Sequence, residues 1–179
     1  MLTWWRARSR PSRTAAELYG SIVTAARRDA FYSELGIPDT PDGRFVMLLL
    51  HMYLALERLR KEGGAGQELS RALVETFVTD MDDCMRELGV GDLTVPRKVK
   101  KAAGALYDWA ADFRQAEASG GESTLAVALE RRLQPFLAPP AARQMAAYMR
   151  RQADGLREQS AEALLSGRIM FTEMQFGEG

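Results

Sequence analysis

Apolar residues recur along this chain at helical spacing, with no alternating runs bounded by turn dipeptides, so helices are expected and strands are not. Leu18, Ile22 and Ala25-Ala26 share one side of a helix from about Arg13 to Asp29. The aromatic pair Phe31-Tyr32 continues a short turn that Gly36 and Pro38 close. Thr40-Pro41 is a cap followed by a first-turn proline, and the helix it opens runs to Lys61. That second helix is apolar on nearly all sides and is therefore expected at the centre, contacted all round. Gly63-Gly64-Ala65-Gly66 breaks the chain before a third helix, about Gln67 to Leu88. Its expected buried stripe is Leu69, Leu73, Phe77, Val78, Met81, Cys84, Met85 and Leu88, and Gly89 supplies the left-handed stop.

Pro96 opens a fourth helix to about Ala118, with Val99, Ala102-Ala103, Leu106, Ala110 and Phe113 inward. Ser119-Gly120-Gly121 leads to a fifth helix, Thr124 to Phe136, stopped by Pro139-Pro140. A sixth, about Ala141 to Leu165, carries Met145, Met149, Gln152, Leu156 and Ala163 on one face. The pattern predicts an all-α fold, a single compact domain of about six helices with one central apolar helix. Residues 1–13 form a basic arm, 14–166 the helical domain and 167–179 a tail.

A chain of 179 residues buries a core without disulfides or metals. Its 24 basic and 24 acidic residues cancel, so no global field points to nucleic acid, and a DNA partner is not expected. One cysteine, Cys84, excludes an intrachain disulfide and reads as a small packed hydrophobe. With one histidine, His51, a zinc site or Cys–His pair lacks parts, so no metal, cofactor or catalytic residue is assigned. His51 and Tyr53 are read as residues that position the core. The glycine run at 63–66 lacks the lysine of a phosphate loop and follows no strand. The apolar run Phe45 to Leu56 is too short for the roughly twenty residues of a membrane span. The first thirteen residues contain no apolar signal core. A cytoplasmic protein, at most peripheral on a membrane, is expected. Twenty arginines against four lysines match the bias of GC-rich bacterial genomes.

Candidate binding chemistry lies in four places. Methionines pair at i, i+4 as Met81/Met85, Met145/Met149 and Met170/Met174, either filling core gaps or lining an adaptable groove. Asp80, Asp83 and Glu87 share a face beside Met81 and Met85, either as a negative rim or as a solvated surface. Negative charge late in a helix opposes its dipole, so a cation from the fourth helix, Arg97 or Lys98, is expected to compensate it. Arg97, Lys98, Lys100 and Lys101 concentrate positive charge at a helix start, with three readings open: the acidic helix, a partner, or water. Trp4-Trp5 among Arg6, Arg8 and Arg10 suits either a membrane interface or an unstructured terminus. The tail around Ile169-Met170-Phe171, Met174 and Phe176 could cover a groove in its own or a neighbouring chain.

The run Phe77-Val78-Thr79-Asp80-Met81-Asp82-Asp83-Cys84-Met85-Arg86-Glu87-Leu88-Gly89-Val90-Gly91-Asp92, followed by Val95-Pro96-Arg97-Lys98-Val99-Lys100-Lys101, resembles the central signature of the ubiquinol–cytochrome c chaperone family. Leu18-Tyr19-Gly20, Ala30-Phe31-Tyr32 and the Pro38 to Arg60 block with Asp42-Gly43-Arg44-Phe45 add to the likeness, which extends from Leu18 to Tyr107. The resemblance implies a non-enzymatic assembly factor that binds newly synthesised cytochrome b and supports assembly of the ubiquinol–cytochrome c reductase complex. It also implies work near the ribosome exit. On that reading Asp80, Met81, Asp83, Met85 and Glu87 face the client, and Arg97, Lys98, Lys100, Lys101, Trp4 and Trp5 face a partner or membrane. The alternative is a ribosome- or RNA-binding module built on residues 97–101. The residues by themselves support only a helical binder with an adaptable apolar surface and segregated charge.

Overall fold

The computed structural model describes residues 10–134, 136 and 139–173. Among them the order is α1 (Arg10–Ala26), α2 (Ala30–Ser33), α3 (Pro41–Leu59), α4 (Gly63–Glu87), α5 (Val95–Gly120), α6 (Glu122–Leu133), α7 (Pro139–Glu158) and α8 (Ala161–Leu165). Six are long, as the periodicity predicts, and two are single turns. Trp4, Trp5, Met174 and Phe176 lie outside the described residues.

The predicted central helix is central. Thr40 caps α3 by accepting from the Gly43 amide at 3.2 Å, and α3 packs against α1, α4, α5 and α7. Every residue from Val46 to Ala55 is buried. Glycine is required where α3 starts, because a Cβ on Gly43 would overlap the Pro38 carbonyl. Gly66 has the same role against the Leu59 carbonyl, where α4 turns back tightly over the end of α3.

Several ends shift by two or three residues, as in Arg10–Ala26 and Glu122–Leu133, and two boundaries differ in kind from those expected. The glycine run does not break the chain; Gly63, at φ +61°, is the first residue of α4, and the turn is confined to residues 60–62. The sixth predicted helix ends at Glu158, and Ser160 caps a separate α8 by accepting from the Ala163 amide at 3.1 Å.

The described part of the tail is docked into the fold. Ile169 and Phe171 are buried. Gln159 receives the Met170 amide at 3.0 Å and donates to its carbonyl at 2.7 Å. Two turns earlier, within α7, Gln152 does the same for Thr172, at 2.9 and 3.1 Å. Two side-chain amides thus hold alternate residues of an extended segment, as a neighbouring strand would. Arg28 completes the clasp by donating to the Phe171 carbonyl at 2.6 Å and to that of Thr172. Removing everything after Leu165 would therefore expose core rather than uncover a groove. A chain so truncated is expected to lose several kcal/mol in urea unfolding, through the loss of two buried apolar side chains and the exposure of the apolar surface they cover.

Candidate functional site

The end of α4 outruns the core. Its 25 residues span about 37 Å, while its neighbour α5 begins only at Val95. Leu69, Leu73 and Phe77 of the predicted stripe are buried, but Val78, Met81, Cys84 and Met85 are only partly covered. Leu88, expected inside, is 69% exposed. The spacing that marks an apolar face is correct; whether another element covers that face depends on where α5 starts. By contrast Met145 and Met149, like Met47 and Met52, are wholly buried and fill the core. Among these methionines, Met81 and Met85 are the pair left half open.

Cys84 lies on the same face. Burial first, then the nearby Asp80 and Glu87 carboxylates, push its thiol up and keep it protonated at neutral pH.

The acidic residues divide. Asp80 turns toward α1 and accepts the Tyr19 hydroxyl at 2.7 Å, a tie between the two helices. The Tyr19 phenol is pushed strongly up by its burial and by that carboxylate. Asp82 is held by Arg86 at 2.6 Å, and Arg86 also reaches Asp92 in the following turn. Asp83 and Glu87 remain exposed, without an ion pair among the described residues. The expected compensation by Arg97 or Lys98 does not occur. The cation present, Arg86, pairs one turn back with Asp82, an i, i+4 pair that closes no long loop, and leaves Asp83 and Glu87 uncompensated.

Arg97, Lys98, Lys100 and Lys101 are all exposed on the first turns of α5, around the buried Val99. None has a carboxylate at ion-pair distance among the described residues. Immediately before them Leu93 is fully exposed at the tip of the α4–α5 turn. Sequence reading missed Leu93, although a leucine between Gly91-Asp92 and Pro96, outside any helical period, is the signal that could have found it. Tyr107, further along α5, is another large exposed apolar side chain.

The histidine belongs to the core. His51 is fully buried, with Phe31 and Phe171 edge-on at 5.4 and 5.1 Å. It makes two hydrogen bonds, to the Met47 carbonyl and the Tyr148 hydroxyl. No described helix is long and apolar enough to cross a membrane. No group of three or more His, Cys, Asp or Glu converges on one point among the described residues.

An apolar central helix, a half-open methionine face and unpaired charge of both signs at one turn are set in an all-α fold. The chain belongs to the ubiquinol–cytochrome C chaperone family, whose pattern it matches over residues 33–172. A solved relative, the Cbp3 homolog from Brucella abortus, is similar at a TM-score of 0.81 with 38% identity, over 92% of this chain and 91% of that one. The chain is also similar to ubiquinol-cytochrome-c reductase complex assembly factor 1 of Xenopus laevis, at 26% identity over 93 residues, 52% of this chain and 46% of that protein. The human assembly factor 1 is 30% identical over 76 residues, 42% of this chain and 25% of its own. The chain thus spans less than half the length of the curated relatives it matches.

Proposed function

We propose that this protein is a non-enzymatic chaperone for assembly of ubiquinol–cytochrome c reductase, and that it holds newly made cytochrome b on the distal end of α4. The observation that carries this reading is the half-open face of Met81 and Met85, ending in exposed Leu88 and flanked by unpaired Asp83 and Glu87. Thioethers adapt to varied apolar partners, which suits a client presenting hydrophobic helices before its own partners arrive. Unpaired carboxylates at the edge would attract the basic loops of such a client. Asp80 acts from behind, bonding α1 rather than reaching outward.

Arg97, Lys98, Lys100 and Lys101 would face the anionic membrane into which the client is inserted. Leu93 favours this over the ribosomal alternative, because an exposed leucine beside cations gains from entering a lipid interface and gains nothing from a phosphate backbone. The test is photocrosslinking from positions 81, 85 and 98 during synthesis of cytochrome b with membranes present. Cytochrome b adducts are expected from 81 and 85, and lipid adducts from 98. Adducts from position 98 to ribosome alone, with none from 81 or 85, would move the client surface elsewhere.

A further inference from the structure

The C-terminal parts of α3, α5 and α7 leave a cavity of about 470 Å³ between them. Leu54, Ala118, Ala153 and Leu156 give it an apolar wall. Apart from Tyr53 and Gly121 the rest of the lining is charged, six cations against three carboxylates, with Arg58 and Arg150 paired to Glu62 and Glu122 just outside it. Part of that charge is internally satisfied. Arg60 and Arg114 share Glu57, at 3.1 and 3.5 Å, and Arg157 is paired with Asp154. Two guanidiniums on one carboxylate leave a surplus of positive charge. Lys61 adds to it, having no ion pair among the described residues. Glu117 opposes it, although burial and then Glu57 push its carboxyl up, toward the neutral form.

Tyr53 supplies an independent observation. Its side chain is 2% exposed, and its ring packs edge-on to Phe113 at 5.3 Å. Its hydroxyl makes no hydrogen bond to any described group, yet it is not sealed from solvent. A phenol in such a place is satisfied by protein or by water. Here the residue forms part of the cavity wall, beside Glu57, Glu117, Arg60 and Arg114, so its O–H is a donor offered to whatever occupies the space.

We propose that this cavity binds a small amphipathic anion, a phosphate monoester or carboxylate on a short apolar body. The Tyr53 hydroxyl donates to the anionic head, Lys61 and the Arg60–Arg114 pair supply the charge, and Leu54, Ala118 and Ala153 take the apolar part. The site is separate from the α4 face and does not depend on the client reading.

Isothermal titration of the full chain with hexyl phosphate at fixed ionic strength tests the proposal, with hexyltrimethylammonium as the cationic control. Saturable binding of the anion is expected and none of the cation. Tyr53→Phe keeps the ring and should weaken binding about fivefold, the worth of one hydrogen bond. Lys61→Glu, at an exposed position, should weaken it at least about tenfold. Both variants should melt as the parent does, so a loss of binding reports the site and not the fold. No saturation by roughly 10 mM hexyl phosphate would overturn the proposal, as would equal affinity in both variants. Binding to vesicles containing phosphatidic acid, with monomeric hexyl phosphate inert, would also overturn it by placing the anion contact on the outer surface.

Discussion

Arg58→Met is expected to cost about 3–5 kcal/mol, the usual toll when one partner of a buried charged network is removed. Arg58 is 8% exposed near the end of α3. Its Nε donates to the Leu156 carbonyl at 2.7 Å, one of its Nη groups to the Gln159 carbonyl at 2.9 Å, and the other to the Glu62 carboxylate. Leu156 lies in the last turn of α7, where carbonyls have no intrahelical partner. A positive group at that end also meets the favourable pole of the helix dipole. One guanidinium therefore finishes α7, anchors the turn leading to α8 and neutralises Glu62. Methionine fills similar volume but leaves two carbonyls and a carboxylate without a donor.

The geometry makes further distinctions. Arg58→Lys should recover only part of the loss, because a single ammonium cannot copy a planar fork aimed at three acceptors. Adding Glu62→Leu to Arg58→Met should regain about 1 kcal/mol or more, since an unpaired half-buried carboxylate is then no longer present. Urea unfolding of the four proteins checks the series. An Arg58→Met chain within about 1 kcal/mol of the parent would show that water replaces the guanidinium at little cost. With total stabilities of roughly 5–15 kcal/mol, the expected loss is large enough to leave a good part of the variant unfolded at working temperature.

How much of this was legible in the sequence follows from the range of each interaction. The central place of α3 was, because a helix apolar on all sides has only one environment that satisfies it. So was the existence of an apolar stripe on α4. Its exposure was not, because that depends on how far α5 extends beside it, a property of two elements. Asp82 and Arg86 pair at i, i+4, a spacing that is legible in the sequence directly. The clasp on the tail lay out of reach: Gln152 and Gln159 each find their partner along a segment of no regular period, and Arg28 finds its own 143 residues away. Arg58 was hidden for the same reason, lying on the polar shoulder of an apolar run and reaching partners about 100 residues downstream. Sequence pattern thus fixes which faces are apolar, while buried polar side chains are placed by tertiary partners that no period encodes.

Acidification should remove about 3 kcal/mol of stability through His51 alone. The Met47 carbonyl only accepts, so Nδ1 carries the proton that bonds it at 2.8 Å. Nε2 is then the bare nitrogen and accepts the Tyr148 hydroxyl at 2.8 Å. Both ring nitrogens are satisfied in the neutral form, and a second proton would break the bond from Tyr148. Complete burial pushes the imidazole down to about 4, with the charge of Arg28 adding to the effect and the Met47 bond opposing it. In the unfolded chain the same group titrates near about 6.5. Between those values the unfolded state binds the extra proton and the folded state does not. The contribution is therefore complete above about pH 6.5, declines as pH falls through the window and is gone below about pH 4. Carboxylates titrate at the lower end of that range, so the measurement is a difference between two proteins. His51→Leu with Tyr148→Phe removes donor and acceptor together and should leave stability at pH 7 nearly unchanged, as loss of a matched buried pair usually does. His51→Leu alone strands the hydroxyl of Tyr148, a residue 1% exposed, and should cost about 1–3 kcal/mol at pH 7, a cost that shrinks as pH falls and the parent loses its own His51 contribution. Urea midpoints from pH 7 to pH 4 should fall more steeply for the parent than for the double variant, and parallel curves would mean that folding does not hold His51 neutral.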